Sequence, residues 1–265
     1  YYPDAEGVGL AWLDGRHTLP APADRAEGGH HHAEDGAMTL RTAVLRPDGS
    51  MTGEALLDDR VCDCCTTASA RTSEGPVVVY RDRSEAEIRD IAIVRHTATG
   101  WSVGQRVLED GWRITGCPVN GPAVIAKDQT VIVAWFTMGA DEEARVHLAR
   151  SRNGGRDFGE PLTFDRGSAL GRVDLAWDES GPKTHALLSW MARDGDGAQL
   201  RLARLAGDGA LLETRNVIRL PGSRGNGFPR LLATGDGRAL FTWTQGTPEG
   251  SRVRVASLPL APPND

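Results

Sequence analysis

The chain lacks any apolar run approaching the ~18 residues of a membrane-spanning helix. It also has little of the 3.6-residue periodicity that marks an amphipathic helix. Positive charge is not in excess: the formal net charge of the 265 residues is −6 and the isoelectric point is near 5.7, which argues against a nucleic-acid partner. No composition shift or low-complexity linker divides the chain, and 265 residues can bury a sizeable core as one domain. With helices, spans and a basic face set aside, what remains is an acidic all-β chain.

What the chain has is repetition. Short apolar strands end on an aromatic at Trp12, Tyr80, Trp135, Trp190 and Trp243, the last four at intervals of 55, 55 and 53 residues. Four strands can be read in each unit, as in TTASARTSEG, PVVVYRD, EIRDIAIVR and WSVGQRVLE of the second, labelled A to D in order. The B strands are apolar throughout, as expected when both faces are covered, whereas the C strands alternate. Gly/Asp/Ser clusters at the A-to-B connections (SEG, DESG, TGDG) supply turn residues. A tandem unit of this size with about four strands predicts a β-propeller.

The expected blades are 1–60, 61–110, 111–165, 166–220 and 221–265. The first opens at its B strand after the tail YYPDAEG, and the fifth lacks its last strand. Open edges of this size invite aggregation. The reading therefore expects a propeller of six blades, of which about five are present, with an N-terminal part missing.

Strand direction alternates, so the D-to-A links and B-to-C hairpins share one end of the propeller, its mouth. All four cysteines fall there: Cys62, Cys64 and Cys65 in DDRVCDCCTT, and Cys117 in DGWRITGCPVN. Cys62 and Cys117 each lie 18 residues before their strand B aromatic. Three readings of the cluster stand open. The cysteines pair as disulfide staples; they bind copper or zinc as soft thiolate donors; or one is a redox or nucleophilic thiol with its pKa lowered by Arg60 and Arg113. His30, His31 and His32, in the B-to-C hairpin of the first unit, are candidate ligands to the same metal or a solvated loop. The next hairpin, RDRSEAEIRD, brings Asp82, Glu85, Glu87 and Asp90 among Arg81, Arg83 and Arg89. It reads as a surface ion-pair cluster, or as an acid/base pair tuned by its arginines.

At the end of strand C in the third unit, Ser151-Arg-Asn-Gly-Gly-Arg-Asp-Phe158 resembles the Asp-box (BNR) turn of the sialidase superfamily, with Asn153 in place of its aspartate and Asp157 in place of its threonine. The stretches YRDRSEAEIRDIAIVR, DGWRITGCPVNGPA and LGRVDLAW are similar to bacterial exported proteins of exo-α-sialidase type. The resemblance implies a sialidase-like propeller and a secreted or periplasmic location. It also implies an arginine cluster for an anionic sugar, to which Arg113, Arg172 and Arg230 correspond in placement, and a carboxylic acid/base, Asp82 or Asp90. No FRIP-type motif is present, and Tyr1, Tyr2 and Tyr80 are the only tyrosines, none where that family carries its nucleophile. The leading expectation is a propeller whose mouth binds a small molecule or a metal, copper or zinc, through Cys62, Cys64, Cys65 and Cys117. An exo-glycosidase of sialidase type and a protein-interaction scaffold are the alternatives.

Overall fold

The computed structural model describes residues 1–18, 36–221, 227–247 and 249–260. No helix occurs among the described residues, and the strands form five antiparallel sheets in chain order. Blade I is β1 (Tyr2–Asp4), β2 (Gly7–Asp14), β3 (Met38–Leu45) and β4 (Met51–Val61). Blade II is β5 (Ala68–Arg71), β6 (Pro76–Arg81), β7 (Ile91–Thr97), β8 (Gly100–Trp101) and β9 (Gln105–Arg106). Blade III is β10 (Ala123–Lys127), β11 (Thr130–Thr137), β12 (Arg145–Ser151) and β13 (Leu162–Phe164). Blade IV is β14 (Ala169–Asp178), β15 (His185–Asp194), β16 (Gly197–Leu205) and β17 (Leu211–Pro221), and blade V is β18 (Arg230–Thr234), β19 (Arg238–Thr247) and β20 (Gly250–Pro259).

Each sheet is a meander, and the first strands of successive sheets touch one another. Residues of β5, β10, β14 and β18, with Tyr1, line a common cavity of about 520 Å³. First strands around an axial cavity, with the sheets radiating outward, define a β-propeller. The tandem spacing of the aromatics is thus the repeat of its blades.

The N-terminal tail YYPDAEG forms the three-residue β1, paired with β2, so the first sheet has four strands. One local expectation is corrected. The expected D strand of the second unit is split into β8 and β9, both paired with β7. The break lies where Val103 is 85% exposed and Gly104 passes the Tyr80 hydroxyl, which would stand 2.3 Å from a Cβ there. Only glycine fits that approach, and the strand swings out to make it.

The core is a series of layers between neighbouring blades. Tyr80 packs with Leu40, Leu57 and Val61 of blade I, Trp135 with Val79, Ile91 and Ile93 of blade II, Trp190 with Leu148 and Phe164 of blade III, and Trp243 with Leu200 and Leu220 of blade IV. These four strand B aromatics therefore face the preceding blade. At ~25 cal/mol per Å² over ~200 Å², such a ring contributes up to about 5 kcal/mol.

Three of the four polar tips also have a fixed partner. The Tyr80 hydroxyl donates to Asp58 Oδ2 (2.6 Å), Trp135 Nε1 donates to Asp110 Oδ2 (2.7 Å), and Trp190 Nε1 donates to Asp165 Oδ2. These aspartates lie 22, 25 and 25 residues upstream, at or just after the end of the previous D strand. Burial pushes the Asp110 carboxyl up to about 6, against the Trp135 hydrogen bond that favours its charge. Trp243 Nε1 is buried without a partner among the described residues; residues 218–221, where the repeat would place its aspartate, are Ile-Arg-Leu-Pro.

On the end opposite the mouth, the turn after β12 is closed by side chains. Ser151 Oγ accepts from Gly155 N (2.9 Å), and Asn153 Oδ1 accepts from Asp157 N (3.0 Å). Gly154 and Gly155 take φ of 71° and 84° there, a region that favours glycine.

Trp135→Phe is expected to cost about 2–3 kcal/mol, because it removes the indole donor from the buried Asp110 carboxyl. Trp243→Phe, which removes no hydrogen bond among the described residues, is expected to cost about 1 kcal/mol or less. Urea denaturation of the two variants measures the difference, and equal losses would refute the role given to the aspartates.

Candidate functional site

The mouth is formed by the elements that strand direction assigns to it. A cavity of about 520 Å³ opens between the link Cys117–Asn120, the start of β14 at Leu170 and Arg172, the β15–β16 hairpin, and Phe228 before β18. Arg172 and Phe228 belong to both this cavity and the axial one, so the two meet there. Arg172 is held at a φ of 55°. Its backbone N–H donates to Asn120 Oδ1 (2.8 Å), its Nη1 donates to Gly227 O (2.6 Å), and its guanidinium lies 5.5 Å from the Phe228 ring centre.

All four cysteines gather at the blade II side of the mouth. Cys64 and Cys117, 53 residues apart, form a disulfide that ties the link into blade II to the link into blade III. Cys62 and Cys65 are free thiols, 1% and 2% exposed. Their sulfurs are 3.3 Å apart, and Cys62 Sγ is 3.9 Å from Cys64 Sγ. Ligand atoms of Cys62, Cys64 and Cys65 all lie within 4.8 Å of one another. Backbone pairing sets this loop: Cys62 N donates to Arg81 O (3.0 Å), and Val61 bridges Asp82.

The charges around the thiols come from the hairpin between β6 and β7. Arg89 Nη1 donates to Cys62 Sγ (3.3 Å) and its Nη2 to Glu87 Oε2 (2.8 Å), while Arg83 holds the other oxygen of Glu87 and reaches Asp63. Arg81 is 1% exposed. It donates to the carbonyls of Asn120 (2.8 and 3.0 Å), Arg89 (2.6 Å) and Phe136 (2.7 Å), and lies 4.9 Å from the Trp112 ring centre. None of these carbonyls carries a charge, and the ionisable groups that act on Arg81 are Cys65, Cys62 and Asp110. A cation in such a place needs a nearby anion, and the sulfurs supply it.

The two free thiols share one proton. It stays on Cys65, whose hydrogen bond to Cys62 and burial raise its pKa far above the ordinary thiol range. Cys62 is pulled down to about 5 by that hydrogen bond and, against burial, by the backbone N–H of Cys64 and by Arg89. A thiolate with a cation against it is the nucleophilic and metal-ligating form of cysteine. The arginines that act on the thiols are Arg89 and Arg81, not the expected Arg60 and Arg113. Arg60 lines a separate cavity with Asp58 and Asp82, and Arg113 is exposed and bridges Ile88.

The remaining candidates lie apart. Asp90 is 1% exposed, and its two oxygens accept from Gly111 N and Trp112 N (both 3.1 Å), which fixes the link into blade III. Asp82 and Glu85 line a cavity of about 550 Å³ between blades I and II. Arg230 is paired with Asp174 (2.9 Å) and lines the axial cavity with Arg172, whereas Arg113 lines neither mouth cavity. His30, His31 and His32 lie outside the described residues. One signal for the thiol environment was visible in sequence: Arg81 occupies the position after the aromatic where the later units have Phe136, Met191 and Thr244.

No protein-family model matches the chain, and no curated protein matches it. Among solved structures, a Hadza microbial sialidase is similar over 84% of this chain at 16% identity and a TM-score of 0.49. The chain spans 52% of that sialidase's length. A protein of unknown function from Dyadobacter fermentans is similar over 98% of this chain and 97% of its own, at 12% identity and a TM-score of 0.47. An exo-β-1,3-galactanase from Phanerochaete chrysosporium is similar over 74% of this chain and 50% of its own, at 13% identity and a TM-score of 0.47. No helix among the described residues is long and apolar enough to cross a membrane.

Burial pushes the Asp82 carboxyl up to about 6, and the charge of Asp58 adds to the rise against the hydrogen bond from Arg83 N. A carboxyl with a raised folded-state pKa favours folding while protonated, and that contribution is lost as pH climbs from about 4 through 6. Asp82→Asn keeps the acceptor for Arg83 N, so it is expected to raise Tm at pH 8 and leave it unchanged at pH 3.5. Thermal melts across that range check the sign.

Proposed function

We propose that this protein is a propeller whose mouth binds monovalent copper through cysteine thiolates. The observation that carries the reading is the cluster of Cys62, Cys64 and Cys65 with ligand atoms inside 4.8 Å. A tetrahedral ion at about 2.3 Å from each sulfur holds its sulfurs about 3.8 Å apart; here Cys62 stands 3.3 Å from Cys65 and 3.9 Å from Cys64, and all three sulfurs lie within 4.8 Å of one another. Cys62 and Cys65 are available as free thiols, and Cys64 joins them when its bond to Cys117 is opened.

Donor type and charge favour copper(I) over zinc. Thiolates suit both ions, but zinc in a closed site takes four ligands, and no histidine or carboxylate joins the three cysteines among the described residues. Copper(I) with two or three thiolates is an anionic complex, matched by Arg81 and Arg89 at the sulfurs. When bound, the ion would supply soft Lewis-acid or one-electron chemistry. The chain's own part is to hold the sulfurs together, keep Cys62 ionised and exclude water.

A glycan-directed mouth has weaker support. Its acid candidate Asp82 lines the cavity between blades I and II, whereas Arg172 and Arg230 line the axial one. Of the features a sugar needs, the mouth offers the Phe228 ring and the Arg172 guanidinium.

Reduced protein freed of metal is expected to take up about one copper(I) per chain in competition with a colorimetric chelator. Cys62→Ser and Cys65→Ser should each lower the affinity by at least about tenfold, while Cys117→Ser, which frees Cys64, should retain it. Uptake unchanged in the Cys62→Ser, Cys65→Ser double variant would sink the proposal.

A further inference from the structure

The Cys64–Cys117 disulfide and the Cys62/Cys65 dithiol are arranged as two stations in contact. Cys117 is exposed and stands in the wall of the mouth cavity, while Cys64 is half-buried beneath it. Cys62 and Cys65 are buried below both. The sulfurs make a continuous path: Cys117 bonded to Cys64, Cys64 to Cys62 at 3.9 Å, and Cys62 to Cys65 at 3.3 Å. Arg89 Nη1 lies 3.3 Å from Cys62 Sγ, which stands between Cys65 and the disulfide sulfur of Cys64. A static staple needs no second pair of cysteines against it and no guanidinium on that pair.

We infer that the four cysteines form an internal thiol–disulfide relay, which moves two reducing equivalents from the buried Cys62/Cys65 pair to Cys64/Cys117 at the mouth. Cys62, its proton given up to water, attacks Cys64 Sγ, 3.9 Å away; the Cys62–Cys64 bond forms, the Cys64–Cys117 bond breaks, and Cys117 leaves as a thiolate that takes up the proton. Cys65 then gives up its proton and attacks Cys62 Sγ; the Cys62–Cys65 bond forms and Cys64 leaves. One disulfide exists before and after, so the transfer requires no oxidant. The resulting Cys64/Cys117 dithiol faces the cavity and reduces the disulfide of a low-molecular-weight thiol. In that step Cys117 attacks one sulfur of the incoming disulfide, Cys64 resolves the mixed disulfide, and two thiols are released as Cys64–Cys117 re-forms. The relay requires no metal.

The test uses the whole chain, freed of metal with a chelator and equilibrated in glutathione and glutathione disulfide over a range of ratios. Acid quenching, two-label alkylation and peptide mass spectrometry then locate the linkage in molecules that hold one disulfide. The relay predicts a Cys62–Cys65 linkage with Cys117 alkylated in at least about a tenth of these molecules, and accumulation of Cys62–Cys64 in Cys65→Ser. Cys64–Cys117 as the sole linkage in the wild-type protein at every ratio, with Cys117 never alkylated, overturns it. The wild-type map decides by itself should Cys65→Ser not fold.

Discussion

Tyr80, Trp135 and Trp190 each place a ring against the preceding blade and donate a hydrogen bond to a carboxylate of that blade or of the link that leaves it. The ring supplies apolar area and the hydrogen bond supplies orientation, so each contact sets both the distance and the angle between neighbouring sheets. The axial cavity and the mouth exist only if that angle repeats from blade to blade. At Gly104 the clasp even shapes the strand beside it, since the Tyr80 hydroxyl leaves no space for a side chain.

The thiol cluster depends on this frame. Asp110, which accepts from Trp135, also acts electrostatically on Arg81, and Arg81 joins the hairpin after β6 to Asn120 and Phe136 of blade III. Asn120 in turn accepts from Arg172 N of blade IV. Three blades thereby converge on the floor of the mouth. A buried guanidinium retains its charge, and Cys65, Cys62 and Asp110 are the groups placed to balance it. The proposed copper binding and thiol exchange both draw on that one electrostatic arrangement.

The acidic hairpin takes a different role in three dimensions from the one its composition suggests. Glu87 spends its charge on Arg83 and Arg89, and Asp90 spends its acceptors on backbone N–H groups. Both serve to present Arg89 to Cys62. Asp82 faces an open cavity, and burial raises its carboxyl.

The repeat, the all-β character and the end at which the mouth opens were legible in the sequence, because period, turn chemistry and strand alternation are properties of contiguous residues. So was the gathering of four cysteines at one end, since their offsets from the aromatics match. Tertiary structure decided the rest. Cys64 chose Cys117 across 53 residues, Arg89 reached Cys62 across 27, and Arg81 reached Asn120 across 39. Such pairings depend on how one blade is angled against the next, and that angle is fixed by packing between sheets that no local pattern encodes.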